Sequence, residues 1–336
     1  MKEKFVKRLG LNKFFNEGSY QNLIGLYDTS IATMNVGDEI INDSIYNELS
    51  DLFSTKQFVR VPTHDGVSGV GIYRMNLAEK RFLCGSNIMT GKFFTSAQWN
   101  VGPIDLLRMK DMITVGVGWV DYQGSISKYT ELAYKHILSS EYIHSVRDDY
   151  TKKKFVEMGV SNVVNTSCAT MWKLTEEHCS RIPKKKANAV VFTITDYRRA
   201  KEEDEYLINT LCKNYKNVYF WVQGSMDFEY FRSLNISHDS IKVIPPQLSK
   251  YDSLLKQRDV DFVGTRLHAG IRSLQFMNRT IIIGVDNRAK EKSRDFNIKV
   301  IDRSDLKNSL EDVINSSWAT DIVIPIENIK IWKEQF

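Results

Sequence analysis

Residues 261–272, DFVGTRLHAGIR, bring together side chains whose types and spacing could do chemistry. A short apolar run ends at Gly264, Arg266 and His268 follow, and the small residues Ala269 and Gly270 open a stretch with helical spacing. Small residues at a strand-to-helix turn let the helix pack close to its sheet and leave the first helical amides open to an anion. Arg266 supplies a fixed positive charge, and His268 is the side chain here that can exchange a proton near neutral pH. Leu267 is expected to face the packed side and hold the register. The competing reading is a core histidine bonded to backbone and an arginine consumed in an ion pair.

Three further places have the same character. In Met34-Asn35-Val36-Gly37-Asp38-Glu39 a glycine stands between polar residues ahead of a helical pattern, so backbone amides can approach a ligand closely. Asp38 and Glu39 could accept hydrogen bonds from sugar hydroxyls, or one could act as a base; Asp38 could equally be a helix cap. Arg147, in Ser145-Val146-Arg147-Asp148, ends an apolar run and has the planar fork that binds phosphate or carboxylate, unless Asp148 consumes it. Lys290, in Val285-Asp286-Asn287-Arg288-Ala289-Lys290, lies beyond a strand and could reach an anion, or belong to a solvated loop. The chain contains no Walker loop, GxGxxG, HExxH or GxSxG. The four cysteines and six histidines have no metal-ligand spacing, so neither metal nor cofactor is expected.

The elements that must position these residues read as alternating strands and helices. Apolar runs at 23–27, 58–61, 82–86, 112–117 and 142–146 alternate with helical patterns, and a second series begins at Ala189. Arg181 to Lys186, polar, basic and proline-bearing, reads as the linker. The predicted fold is therefore α/β: two Rossmann-like domains facing across a cleft, of glycosyltransferase-B type. The expected boundaries are 1–182 (acceptor side), 187–315 (donor side) and a tail, 316–336, packing back on the first domain. Ligands of open α/β sheets bind beyond the carboxyl ends of the strands, where Arg147 and Arg266 are placed.

The length, 336 residues, suits two domains, and 42% hydrophobic with 26% charged residues is an ordinary globular balance. A net charge of +5 is too mild to indicate a nucleic-acid binder and compatible with an anionic substrate. Sparse cysteine usage suits a reducing cytoplasm. Residues 1–15 mix lysines and arginine with phenylalanines and leucines, so peripheral contact with the inner face of a membrane stands beside packing on the protein's own domain.

In their order along the chain these segments resemble the polysaccharide pyruvyl transferase family. NVGDEIINDSIYNEL is similar to the family's Asn-x-Gly-Asp segment and helix. CGSNIM and GVGW resemble its two glycine-bearing strand ends, and SVRDDYTKKKFVEMGV its Val-Arg-Asp segment. TRLHAGIRSLQFMNRTIIIGVDNRAKEK resembles its Arg-Leu-His-Ala helix with the strand and lysine beyond it. Asn165-Thr166-Ser167-Cys168-Ala169 departs from the family's Asp-Pro-Ala. The resemblance implies transfer of a pyruvyl group from phosphoenolpyruvate to hydroxyls of a sugar, lipid-linked or nucleotide-linked, giving a cyclic ketal. It implies donor contacts from Arg147, Arg266, Leu267 and Lys290 and acceptor contacts from Asn35, Gly37 and Glu39. His268 and Asp38 are then the proton carriers. A nucleotide-sugar glycosyltransferase and a non-catalytic carbohydrate-binding derivative are the rival expectations.

Overall fold

The computed structural model describes residues 20–95, 99–120, 125–285 and 295–336. Lys290 and the basic 1–15 segment lie outside the described residues. The chain forms two compact units. The first takes residues up to Thr33, Ile41–Ala169 and Pro325–Phe336; the second takes Met34–Ile40 and Thr170–Ile324.

In chain order the first series is β1 (Tyr20–Asp28), α1 (Val36–Leu52), β2 (Gln57–Pro62), α2 (Gly69–Leu77), β3 (Ala78–Cys84), β4 (Asn87–Met89), α3 (Pro103–Leu106), β5 (Met112–Val115), β6 (Gly118–Trp119), α4 (Lys128–Ile137), β7 (His144–Val146), α5 (Asp149–Glu157) and β8 (Val163–Asn165). Strands β2-β1-β3-β5 form a parallel sheet, with parallel pairs β4-β6 and β7-β8 beside it. Ile40, Ile41, Ile45 and Leu49 of α1 recur at helical spacing and are all buried, which is why that helix was legible. Helix α2 was not, because Gly69 and Gly71 depress its propensity. Its start is fixed by the Ser68 side chain, which accepts from the Gly71 amide, and by burial of Ile72 and Met75.

The second series is α6 (Glu176–Ser180), β9 (Ala189–Thr193), α7 (Lys201–Asn214), β10 (Asn217–Trp221), α8 (Asp227–Arg232), β11 (Ile241–Ile244), α9 (Leu248–Leu255), β12 (Val260–Gly264), α10 (Leu267–Gln275), β13 (Thr280–Gly284), β14 (Val300–Asp302) and α11 (Leu306–Asn315). Its six-stranded sheet has the order β11-β10-β9-β12-β13-β14, all parallel. Counted within the unit this is 3-2-1-4-5-6, the doubly wound order, whose direction reverses between β9 and β12. Both units are thus of the Rossmann-like, parallel α/β kind that the strand–helix alternation predicts.

The boundaries differ from the expected ones. Residues 170–186 are not a free linker but part of the second unit. The His178 ring bonds the Leu274 carbonyl at 2.8 Å, Gln275 donates to the Thr170 carbonyl at 2.6 Å, and Lys186 donates to the Asn214 carbonyl at 2.9 Å. Residues 316–324 also stay with the second unit. There Trp318 lies 4.6 Å from the buried Arg279 guanidinium, which donates to Asp261 (3.0 Å) and to the Val313 and Ser316 carbonyls. The last helix, α12 (Ile326–Lys333), belongs to the first unit: Trp332 meets Phe82 edge-on, Phe336 meets Phe53, and Gln335 bonds both backbone groups of Ile143.

His144 is one polar group in the first unit's core. Thr114 N–H donates to its Nδ1 at 3.3 Å and its Nε2 lies 2.9 Å from the Ser139 carbonyl, an arrangement that fits the neutral ring. Burial pushes its pKa down to about 4, with the Ser139 carbonyl opposing. The folded protein keeps the ring neutral down to that pH, whereas an unfolded chain protonates it near 6.5. Acidification from pH 6.5 towards 4 should therefore remove stability on the order of 2–3 kcal/mol. Melting curves across that range check this, and His144→Gln, which can keep both hydrogen bonds without titrating, should flatten the dependence.

Candidate active site at the head of the second sheet

The strand order reverses between β9 and β12, and the carboxyl end of the sheet at such a reversal is the usual place for a ligand in this topology. Three loops meet there: Ile194 to Ala200 after β9, Val222 to Met226 after β10, and Thr265 to Arg266 after β12. Thr193 ties two of them together. Its carbonyl accepts from the Thr265 amide at 3.0 Å, its hydroxyl accepts from the Arg266 amide at 3.2 Å, and the Thr195 and Thr265 hydroxyls are 2.7 Å apart.

Arg266 lies at the centre and is 5% exposed. Its Nε donates to Asp227 Oδ2 at 3.1 Å and its Nη2 to Asp227 Oδ1, so Asp227 takes the side-on edge bidentately. Nη2 also donates to Asp196 Oδ1 at 3.0 Å. The guanidinium lies 5.0 Å from the Tyr197 ring centroid. Asp227 is fixed in turn by the Gly224 amide (2.7 Å) and the Asp196 amide (3.1 Å). Burial pushes the Asp227 carboxyl up, and the Arg266 charge opposes that shift. Among the described residues no hydrogen bond reaches Arg266 Nη1. A side chain at Gly224 is excluded, since its Cβ would stand 2.2 Å from Arg266 Nη2.

His268 is the second residue of α10, half-buried, and its ring makes no hydrogen bond among the described residues. The ion pair expected as one reading of this corner is present at Arg266, and among the described residues no backbone bond is made by the His268 ring. Leu267 is partly buried. The register is held by the Thr193 bonds and by Ala269 and Gly270, buried where α10 crosses the sheet.

The Asn35 segment belongs to this same unit, not to the first domain as expected. The Val36 amide donates to the Gln223 carbonyl (3.1 Å) and the Ser225 amide to the Met34 carbonyl (3.1 Å), joining the start of α1 to the loop that borders Arg266. Asn35 Oδ1 accepts from the Gly37 amide (3.0 Å) and from Gln223 Nε2 (2.8 Å). Asn35, not Asp38, therefore has the capping geometry. A Cβ at Gly37 would stand 2.8 Å from Gln223 Nε2, so a side chain there would displace the end of Gln223. Asp38 is buried in the first helical turn, and burial pushes the Glu39 carboxyl up.

Arg147 lies in the first unit, buried at the end of β7, with Nε 3.5 Å from Asp148 Oδ2. Asp148 also caps α5 through the Thr151 amide. Asn165 to Ala169, where the sequence departs from the family pattern, is packed in the same unit. Ser167 has φ 63°, and its amide donates to Asn165 Oδ1 at 3.0 Å. Among the described residues no three histidine, cysteine or acidic side chains come together to hold a metal ion, and no helix is long and apolar enough to cross a membrane.

Asp196, Tyr197, Gln223, Gly224 and Asp227 were not singled out from the sequence. The β9 loop, Thr195-Asp196-Tyr197-Arg198-Arg199, meets the same criterion that flagged Arg266, charge at a strand end before a helix, and was findable on it. That Asp227 pairs with a residue 39 positions away is not written in any local pattern.

The segments that build this corner fall within a family match. Residues 35–287 match the model of the polysaccharide pyruvyl transferases, and the chain belongs to that family. No curated protein matches the chain. Among solved structures it is similar to the UDP-GlcNAc 2-epimerase of Methanocaldococcus jannaschii, in complex with UDP-GlcNAc and UDP. That likeness has 11% identity and a TM-score of 0.48 over 93% of this chain and 98% of that one. It is also similar to the wall teichoic acid polymerase TagF, at 11% identity and a TM-score of 0.44 over 93% and 86% of the two chains.

Because Gly224, Asp227 and Arg266 are packed as one unit, their substitutions should not add. Gly224→Ala and Arg266→Ala should each cost on the order of 2–4 kcal/mol. The double variant should be little worse than the poorer single one in a denaturation-based double-mutant cycle.

Proposed function

We propose that this chain transfers a pyruvyl group from phosphoenolpyruvate to hydroxyls of a sugar in cell-surface polysaccharide biosynthesis, forming a pyruvate ketal. The observation that carries this reading is the corner itself. Among the described residues, a buried arginine whose Nη1 has no hydrogen bond and a histidine whose ring has none stand two residues apart at the switch point of a family-matched sheet. Phosphoenolpyruvate has a carboxylate and a phosphate close together, and Arg266 Nη1 is the donor available to one of them.

The chemistry follows from the substrate. His268 gives a proton to C3 of the enol, which places positive charge at C2. One sugar hydroxyl adds to C2, the C2–O bond to phosphate breaks, and the second hydroxyl closes the ketal. The two hydroxyls lose two protons while C3 gains one, so one proton leaves with the phosphate as HPO₄²⁻. The imidazole, left neutral by the first step, is a base for a hydroxyl proton. Arg266 and the first amides of α10 stabilise the developing anion of the leaving phosphate. We assign the acceptor as a lipid-linked or nucleotide-linked sugar, modified in the cytoplasm before export. Asp38 and Glu39 are the candidate acceptor contacts in the first turn of α1.

Phosphoenolpyruvate should raise the melting temperature and, with a suitable sugar, release phosphate. Protection by nucleotide sugars alone would point to a glycosyltransferase, and sugar binding without phosphate release to a non-catalytic derivative. His268→Ala should lower kcat about 100-fold or more with a smaller loss of donor binding. Arg266→Lys, which keeps charge for Asp227 but loses the fork, should weaken donor binding about tenfold or more. Near-full turnover in His268→Ala would remove it from the proton-transfer role.

A further inference from the structure

The guanidinium of Arg266 has two edges that can hold an anion bidentately. The side-on edge, Nε with Nη2, belongs to Asp227, whose side chain is fully buried and held by two backbone amides. That carboxylate cannot leave without breaking four hydrogen bonds, two from backbone amides and two from Arg266. The end-on edge, Nη1 with the outer hydrogen of Nη2, is only half taken. Asp196 Oδ1 accepts from Nη2 at 3.0 Å, and Nη1 has no partner among the described residues.

Asp196 is held differently from Asp227. Its carboxylate is 21% exposed; it accepts from Arg266 Nη2 at 3.0 Å and lies close enough to the Asp227 carboxyl to push that group up further. Its backbone is fixed by the Asp227 carboxylate, so a rotation about its own side-chain bonds is enough to release Arg266. The residues after it, Tyr197, Arg198 and Arg199, are exposed. Two carboxylates face one guanidinium, a surplus of negative charge where an anionic donor would dock.

We propose that Asp196 is a built-in competitor for the donor: its carboxylate covers half of Arg266's end-on edge and swings away when a donor carboxylate or phosphate takes that edge with both Nη1 and Nη2. This inference rests on the reading of Arg266 as the donor's anion contact. Its consequence is selectivity. An anion with one weak contact does not displace Asp196, whereas phosphoenolpyruvate, with two anionic groups, does. Asp196 is then a specificity-determining residue whose loss tightens binding, the opposite of what loss of a structural clasp does.

The test is titration calorimetry on the full chain with phosphoenolpyruvate and, separately, inorganic phosphate. It compares the wild type with Asp196→Asn, Asp196→Ser and the pair Asp196→Asn with Arg266→Lys. Both single substitutions should lower the phosphoenolpyruvate dissociation constant about tenfold, by relief of like-charge repulsion and competition. They should tighten inorganic phosphate by a larger factor, and the gain should shrink when Arg266 is lysine. Wild-type binding with unchanged or weaker binding in both single variants overturns the competitor while leaving the donor reading intact. Failure of every protein to bind phosphoenolpyruvate overturns the donor reading and the competitor with it.

Discussion

A guanidinium buried at the head of a parallel sheet must be paired, and the pairing of Arg266 with Asp227 is the constraint around which the second unit's functional end is built. The two residues come from loops after different strands, β12 and β10, and both loops are shaped to let the pair form. Gly224 has no side chain because Arg266 Nη2 occupies that space. Asp227 receives the amides of Gly224 and Asp196, so one carboxylate sets the conformation of two loops. Removing either partner would leave an uncompensated buried charge, which is why the pair is structural even if the reaction also uses it.

The same constraint explains why the start of α1 belongs to the second unit. Asn35 caps that helix and also accepts from Gln223, the residue before Gly224, while Met34 and Val36 bond the same loop through backbone. Residues read as acceptor contacts are therefore also the buttress of the loop that borders Arg266. Asn35 and Gly37 are engaged in this packing, and Asp38 and Glu39 follow them in the first turn of α1.

Much of the fold could be read from periodicity. The strands of both sheets are short apolar runs, and α1, α4 and α7 bury residues at helical spacing. Position Arg266 was legible because charge at a strand end before a helix is a local pattern. What surrounds it was not. Asp196 and Asp227 lie 70 and 39 positions from Arg266, and their meeting follows from the strand order β10-β9-β12, a tertiary fact. The linker reading of Arg181 to Lys186 went astray for a similar reason. Its lysines look solvated, yet Lys186 is consumed by the Asn214 carbonyl and the Tyr215 ring. The pattern around His268 fits either a ligand contact or a backbone-bonded core ring, and among the described residues the ring makes no hydrogen bond.

We propose that the Arg266–His268 corner holds phosphoenolpyruvate for proton transfer to C3. A crystal structure of the protein with phosphoenolpyruvate tests it most directly. An anionic group of the donor should lie within hydrogen-bond distance of Arg266 Nη1, with the methylene carbon facing the His268 ring. Donor density elsewhere in the chain, with Arg266 and His268 untouched, would contradict it.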